Sequence, residues 1–320
     1  MKRLSKNQEC NIHAGTVISG KWNHNHYLII KRLGSGATGT VYLAQSKNGL
    51  AALKIGNNSL GITSEVNILK RFSKVQGKSL GPSFIDMDDW IKDNECYPFY
   101  VMDYMRGEPF IDFLKTKNKE WLGILIIQLL NDLDHLHKAG WVFGDLKPDN
   151  LLVVGPPPKV CWIDVGGTTL IGRSIKEYTE FFDRGYWGLG SRKAEPSYDL
   201  FSTAMIIINA FYPERFEKKG DGITQLERLI RSNEQLNCYK SIIMNALKGK
   251  YNHAAAMRQD MIHTMQRRKS EKTRKGEKVI KNPPVKKENK QIKKSFFRGM
   301  ETLVIVALIL FLYILYLINQ

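Results

Sequence analysis

The sequence predicts an α+β chain of two lobes, the first built mainly of strands and the second mainly of helices. Two observations carry that expectation. Between residues 27 and 55, β-branched and apolar residues fill short runs set apart by glycine-containing breakers. From about residue 119 onward, apolar positions recur at helical spacing instead. Strands with one helix first, then a helix-rich half, is the α+β order. A third observation adds a tail: Thr302–Ile318 is seventeen residues without a charge.

From the amino end, Met1–Ala14 is polar and lacks the apolar run of a secretory leader, so residues 1–14 read as an extension. Tyr27–Leu33, Thr40–Ala44 and Leu50–Ile55 read as strands, with Gly34–Gly39 as a glycine turn. Residues 63–74 switch to helical spacing through Val66, Ile68 and Leu69, with Thr63 or Ser64 as the expected N-cap. Residues 98–105 form another strand-like run, and the first lobe is expected over 15–103. In the second lobe, expected over 104–263, Leu122–His137 carries a broad apolar face. Leu200–Phe211 is almost wholly apolar, as a buried helix would be. Residues 264–300 are Lys-rich, contain Pro283–Pro284 and lack periodic apolar positions, which predicts a flexible linker. Residues 301–320 read as a tail anchor. Seventeen helical residues reach about 25 Å, slightly short of a hydrocarbon core of roughly 30 Å. The competing reading is a buried C-terminal helix, but such a helix should show a polar face and this one shows none. With the basic run before it, the positive-inside rule places residues 1–300 on the cytoplasmic side of a single span.

The chain has 320 residues, 43% of them apolar, enough for one large two-lobed domain or two small ones. Its 48 Lys+Arg outnumber 31 Asp+Glu, a formal net of +17. The excess is local: residues 267–298 hold 14 Lys+Arg and three Glu, hence +11. That stretch suits an anionic membrane face, DNA or RNA. The cysteines Cys10, Cys96, Cys161 and Cys238 are dispersed, as reduced intracellular thiols would be, and show no metal-ligand spacing.

Four motifs carry chemistry. Leu33-Gly34-Ser35-Gly36-Ala37-Thr38-Gly39-Thr40-Val41 matches G-x-G-x-x-G-x-V, a loop whose backbone amides can approach triphosphate oxygens. A dinucleotide fold shows a similar pattern, but there the loop opens a helix, and here it opens a strand. Ala51-Ala52-Leu53-Lys54-Ile55 places a lysine in an apolar strand, which needs a partner; Glu65 is the natural one. Lys54 would then hold the α/β-phosphates. Asp145-Leu146-Lys147-Pro148-Asp149-Asn150-Leu151-Leu152 supplies Asp145 to orient a substrate hydroxyl, Lys147 to neutralise the γ-phosphate and Asn150 to bind Mg²⁺. Ile163-Asp164-Val165-Gly166-Gly167 supplies Asp164 as a second Mg²⁺ ligand. Each alone could be a capped turn. All four in order point to phosphoryl transfer from ATP.

At these residues the chain resembles the eukaryotic-like (Hanks-type) protein kinases over roughly residues 15–262, and Lys147 is similar to the Ser/Thr type. The resemblance implies a two-lobed protein-kinase-like fold and an ATP- and Mg²⁺-dependent transferase acting on proteins. More narrowly, the layout is similar to a tail-anchored, sporulation-associated bacterial branch of that family, which implies a bacterial inner-membrane location. By matching position, Leu33, Val41, Ala52 and Leu152 should sandwich adenine. Met102 should act as gatekeeper, and the Asp103 carbonyl and Met105 amide as the hinge. Asp199 should brace the catalytic loop from beneath. Thr168, Thr169, Ser174, Tyr178 and Thr179 fall in the activation segment, four of them (Thr168, Thr169, Ser174, Thr179) as candidate phosphosites and Thr179 also as the substrate-facing threonine.

The pattern is also departed from. The usual His-Arg-Asp is Phe143-Gly144-Asp145, so an activation-loop phosphate lacks its usual arginine. Asp-Phe-Gly is Asp164-Val165-Gly166, and Ala-Pro-Glu is replaced near Arg184-Gly185-Tyr186-Trp187. These changes leave open a membrane-anchored pseudokinase or DNA-binding scaffold, and a small-molecule kinase. The basic linker invites a regulatory hypothesis: DNA bound there would cluster tethered chains, as dimers or larger groups, for trans-autophosphorylation.

Overall fold

The computed structural model describes residues 12–36, 38–72 and 81–279, with the backbone alone at Lys269 and along 271–279. The chain divides into two units, residues 1–269 and 270–320.

The first part of the larger unit is a six-stranded antiparallel sheet with one helix. Its strands are β1 (Val17–Ser19), β2 (His26–Gly36), β3 (Gly39–Ser46), β4 (Gly49–Gly56), β5 (Phe84–Lys92) and β6 (Glu95–Asp103), in the order β1-β2-β3-β4-β6-β5. Helix α1 (Ser59–Phe72) joins β4 to β5. It starts earlier than its apolar spacing suggests. Asn58, not Thr63 or Ser64, is the cap: its side chain accepts from the Gly61 backbone N–H at 2.7 Å, a standard N-cap bond. Thr63 instead donates back to the Ser59 carbonyl inside the helix. Ile62, Glu65, Val66, Leu69 and Phe72 turn the helix's buried face inward.

Strand β5 is absent from the sequence reading for a physical reason. Its buried positions are Asp86, Asp88 and Trp90, so the expected apolar alternation is broken by two carboxylates. Both are satisfied by the preceding segment of chain. Asp88 accepts from the backbone N–H groups of Trp22 (2.9 Å), Asn23 (2.7 Å) and Asp89 (2.7 Å). Asp86 accepts from the side chains of Asn23, Asn25 and Tyr27. Ile12 is also buried against this lobe, so the expected N-terminal extension joins the core before residue 15. Asp93 and Asn94, both at positive φ, close the β5–β6 hairpin, where their small side chains tolerate the left-handed region.

The second part is mainly helical. β7 (Glu108–Pro109), α2 (Phe110–Lys117), α3 (Trp121–Lys138), β8 (Trp141–Val142), a 3₁₀ turn at Pro148–Asn150, β9 (Leu151–Val154), β10 (Lys159–Trp162) and β11 (Thr169–Leu170) come first. α4 (Arg184–Trp187), α5 (Pro196–Phe211), α6 (Gly222–Ser232), α7 (Glu234–Asn237), α8 (Lys240–Leu247) and α9 (Ala254–Val279) follow. α5 is apolar all round because α3, α7 and α8 enclose it, and every residue from Tyr198 to Phe211 is buried. β10-β9-β7 and β11-β8 are small antiparallel sheets at the lobe's edge that set the catalytic segments.

The linker expected from residue 264 is helical through Val279. Met257 and Met261 continue one buried stripe, Met265 lies against Gly123, and Arg268 donates to Tyr239 at 2.8 Å. Straight-chain Met, Lys, Arg and Glu are strong helix formers, so a charged composition does not end the helix. Thr302–Ile318, Pro283–Pro284 and the basic residues past 279 lie outside the described residues. Among the described residues, no helix is long and apolar enough to cross a membrane.

The Asp88 bonds predict a pH dependence. Burial pushes its carboxyl up, but the N–H groups of Asn23, Trp22, Asp89 and Lys21 outweigh burial and hold it below its ordinary value of 3.8. A depressed folded pKa means stability that is fully present above the ordinary value and lost as pH falls through the folded one. Asp88→Asn should therefore lower stability by about 1–3 kcal/mol at pH 7. The difference from wild type should shrink on acidification, as read by urea unfolding at pH 7 and pH 3.

Candidate active site

The glycine loop is the tight tip of the β2–β3 hairpin, with Gly34 opposite Val41 and Gly36 opposite Gly39. Ala37 lies outside the described residues. The three glycines are present for different reasons. Gly39 sits at φ +156°, and a Cβ there would stand 2.1 Å from the Ile55 carbonyl oxygen, so the strand beneath requires it. Around Gly34 and Gly36 a Cβ would meet nothing within 4 Å. The protein's own packing does not demand glycine there. A ligand approaching the backbone closely would.

Beneath the loop, Lys54 on β4 is buried and pairs with Glu65 of α1, Nζ to Oε2 at 2.8 Å. The Tyr100 hydroxyl donates to the same oxygen at 2.9 Å. Removing one partner of such a buried pair costs about 3–5 kcal/mol, because the other charge is stranded. Lys54 Nζ also lies 3.8 Å from Asp164 Oδ1, which accepts from the Gly166 N–H at 2.9 Å. The Asp164 side chain is 47% exposed, open to a cation from solvent. Ala52 pairs with Met102 and Ala51 with Asp103 at the end of β6, where the expected strand stops short of Met105. Val41 and Leu152 are half-buried and Leu33 exposed at the mouth of this cleft.

The catalytic loop follows β8. Lys147 Nζ donates to Asp145 Oδ2 at 2.5 Å and to Thr179 Oγ1 at 3.0 Å, and Thr179 Oγ1 donates to Asp145 Oδ1 at 3.1 Å. These three groups form a closed triangle from two segments of chain. Asn150 Nδ2 donates to the Asp145 carbonyl at 2.8 Å, which leaves its own oxygen for a metal. Asp199 of α5, fully buried, accepts from the N–H groups of Phe143 (2.7 Å) and Gly144 (3.0 Å) and contacts His137 Nε2 at 2.9 Å. Gly144 is at φ +84°, and a Cβ there would lie 2.6 Å from the Gly167 carbonyl oxygen. The residue before Asp145 is glycine because the loop turns left-handed against the turn at Gly166 and Gly167.

The activation segment leaves β11, which pairs with β8, and is pinned by backbone bonds to residues 192–194. Gly172 N reaches the Ala194 carbonyl, Ile175 N the Arg192 carbonyl, and Ala194 N the Arg173 carbonyl, at 2.7–2.9 Å. Of the candidate phosphosites, Thr168 and Thr169 are buried, and Thr169 donates to the Gly167 carbonyl. Their burial takes them out of reach in this conformation, a correction to the sequence reading. Thr179 is engaged with Asp145 and Lys147, whereas Ser174 is exposed.

Three groups escaped the sequence reading. Glu177, half-buried, lies in the field of Asp164, Lys54, Glu65 and Asp145; burial first, then Asp164, pushes its carboxyl up. Arg184 is buried and donates to the Ser191 carbonyl, Ser197 and Glu195. Asp183 caps α4 and accepts from Arg192 and Tyr198. The pair Asp183-Arg184 thus fastens the stretch where the family's Ala-Pro-Glu signature is missing. No pattern in the sequence marks either residue, because the partners are up to fifteen positions away.

Gly34 and Gly36 without a packing reason, a buried Lys54–Glu65 pair, a solvent-accessible Asp164 and an Asn150 whose amide nitrogen alone is used fit Mg-ATP. The fold and site define a phosphoryl-transfer enzyme of the two-lobed kinase class. A family model described as protein kinase domain matches residues 27–291, and the chain belongs to that family. It is 52% identical over 260 residues to the serine/threonine-protein kinase YabT of Bacillus subtilis, covering 81% of this chain and 77% of that protein. It is 26% identical to the probable serine/threonine-protein kinase YbdM of the same organism, over 76% of this chain and 91% of YbdM. The kinase domain of Mycobacterium tuberculosis PknI superposes with a TM-score of 0.54 at 16% identity, over 79% of this chain and all of that one, a likeness of fold. The chain is a serine/threonine protein kinase.

The Asp145–Lys147–Thr179 triangle predicts a graded pair of variants. Thr179→Val should lower kcat by on the order of tenfold to a hundredfold with KM for ATP nearly unchanged, since it disturbs the reacting end of the site alone. Thr179→Ser, which keeps the hydroxyl, should retain most activity. Steady-state phosphotransfer measures both.

Proposed function

We propose that this chain is a membrane-tethered kinase that transfers the γ-phosphoryl group of Mg-ATP to Ser or Thr of cytoplasmic proteins. The observation that carries the reading is the closed triangle of Asp145, Lys147 and Thr179 beside the Lys54–Glu65 pair. Asp145 holds and orients the incoming hydroxyl and takes up its proton. Lys147 offsets charge at the transferring group. Lys54 fixes the phosphates, kept in place by Glu65. Asn150 and Asp164 would hold Mg²⁺, which supplies neutralisation of phosphate charge when bound. A pseudokinase scaffold would not need these groups so arranged. Asp145→Asn in the full chain should retain ATP binding and lose about 10²–10⁴-fold in transfer to Ser or Thr. Equal transfer by both chains would remove Asp145 from its role.

The tether and the basic run are supported by sequence alone. Thr302–Ile318 is uncharged, and residues 267–298 carry +11 just before it. The run would hold anionic lipid at about 1 kcal/mol per Lys or Arg, or DNA phosphates without sequence preference. The full chain should float with uncharged vesicles, to which the basic run has no attraction, and a chain ending at residue 300 should not. DNA affinity should fall steeply with salt. Changing the lysines of 267–298 to glutamine should flatten that slope; an unchanged slope would place DNA elsewhere or nowhere. Trans-autophosphorylation of clustered chains, and a place in sporulation, belong to the same proposal.

A further inference from the structure

The segment between α5 and α6 carries a cation that reaches the reacting end of the site. Arg215 donates through Nη2 to Asp149 Oδ2, and its guanidinium lies over the Phe182 ring, 5.2 Å from the centroid. Both contacts stand close to the groups that would hold an acceptor hydroxyl. Asp149 lies on the 3₁₀ turn that folds back on Asp145. The Asn150 backbone N–H donates to the Lys147 carbonyl at 3.1 Å, and the Asn150 side chain to the Asp145 carbonyl at 2.8 Å. The Phe182 N–H donates to the Thr179 carbonyl at 2.8 Å, and the Thr179 hydroxyl is bonded to Asp145. Arg215 therefore spans the catalytic loop and the end of the activation segment, the two walls between which a Ser or Thr of a protein substrate would enter.

The segment that carries Arg215 is anchored independently of the ion pair. Phe216 packs edge-on against Phe181 and Trp187, with centroids 5.0 and 5.9 Å away. Asn209, near the end of α5, donates to the Tyr212 and Pro213 carbonyls. The pair itself is open to solvent: the side chain of Arg215 is 42% exposed and that of Asp149 54%. Ion pairs so exposed contribute little to stability. The greater consequence is for what approaches. A bare Asp149 carboxylate beside Asp145 would accept charge-assisted hydrogen bonds from an arginine or lysine of a peptide. With Arg215 in place that carboxylate is engaged, and an incoming cation meets a like charge.

We propose that Arg215 is a specificity-determining residue, which masks Asp149 so that the kinase does not select Ser or Thr flanked by basic side chains. The inference rests on Asp145 as the reacting end of the site.

The test uses the full chain in an uncharged detergent at low ionic strength. A peptide with one acceptor Ser in a Gly/Ala frame is compared with versions carrying a single Arg at each of the three positions before and after that Ser. Each kcat/KM is taken relative to the neutral peptide on the same chain. Fluorescence anisotropy reads binding of the matching peptides with Ala in place of Ser. In wild type every Arg ratio should stay within about twofold of one, since an exposed, already paired carboxylate offers little. Arg215→Gln should raise the ratio about threefold to tenfold at one or two adjacent positions, and the gain should fade at high salt. Adding Asp149→Asn to Arg215→Gln should abolish the gain, and Arg215→Lys, which keeps the charge, should show wild-type ratios. Arg215→Met, which fills the same space over Phe182, gives the same reading if the Gln variant folds poorly. A wild type that already favours Arg as much as the variant does would overturn the proposal. So would a variant with no gain at any position, or a gain that survives Asp149→Asn. Should the chain transfer no phosphate to any peptide, the reading of Asp145 fails, while the anisotropy ratios still decide the role of Arg215.

Discussion

The structure turns on the carboxylate of Asp199, buried on a helix that is apolar almost everywhere else. A charge in that position is costly unless every lone pair is used. Here it collects two backbone N–H groups from Phe143 and Gly144 and the ring of His137, all more than fifty residues away in sequence. The same bonds that make the buried charge tolerable fix the turn that presents Asp145. Gly144 has to be left-handed to point its N–H downward, and the close approach of Gly167 forbids a side chain there. Catalytic geometry is therefore set from below, by the core of the second lobe.

That arrangement explains how the site is assembled without the arginine usual before the catalytic aspartate. Order in the activation segment comes from other sources. Backbone bonds tie residues 172–175 to residues 192–194, and the adjacent buried pair Asp183 and Arg184 fastens the segment's far end. The Thr179 hydroxyl then closes onto Asp145 and Lys147.

The first lobe shows the same logic of buried charge made safe by distant backbone. Asp86 and Asp88 occupy inward positions on β5 and gather donors from residues 22–27. Gly20 is hemmed in by the Asp88 carboxylate, since a Cβ there would stand 2.3 Å from its oxygen. The N-terminal segment from Ile12 is in this way part of the lobe's core, and the Lys54–Glu65 pair ties a central strand of the sheet to α1.

The residues proposed to hold nucleotide, metal and hydroxyl stand out in the sequence because phosphoryl transfer needs particular groups at short, regular spacing. Gly34 to Val41, Lys54, Asp145 to Asn150 and Asp164 each sit in a motif whose local backbone positions them. The long apolar runs of α3 and α5 were legible for the same reason, since helical periodicity is a local property. What escaped were groups whose meaning depends on partners far along the chain. β5 could not be read because its buried carboxylates look like surface residues until residues 22–27 are folded over them. The N-cap of α1 was misplaced because Asn58 competes with Thr63 only once the turn is formed. The linker boundary moved because Met265 finds Gly123, and Arg268 finds Tyr239, across the lobe. Glu177, Asp183, Arg184 and the Arg215–Asp149 pair belong to that second kind. Sequence determines which chemistry a short motif can perform, and tertiary structure alone decides which charges are paired, because pairing is settled by distance in space.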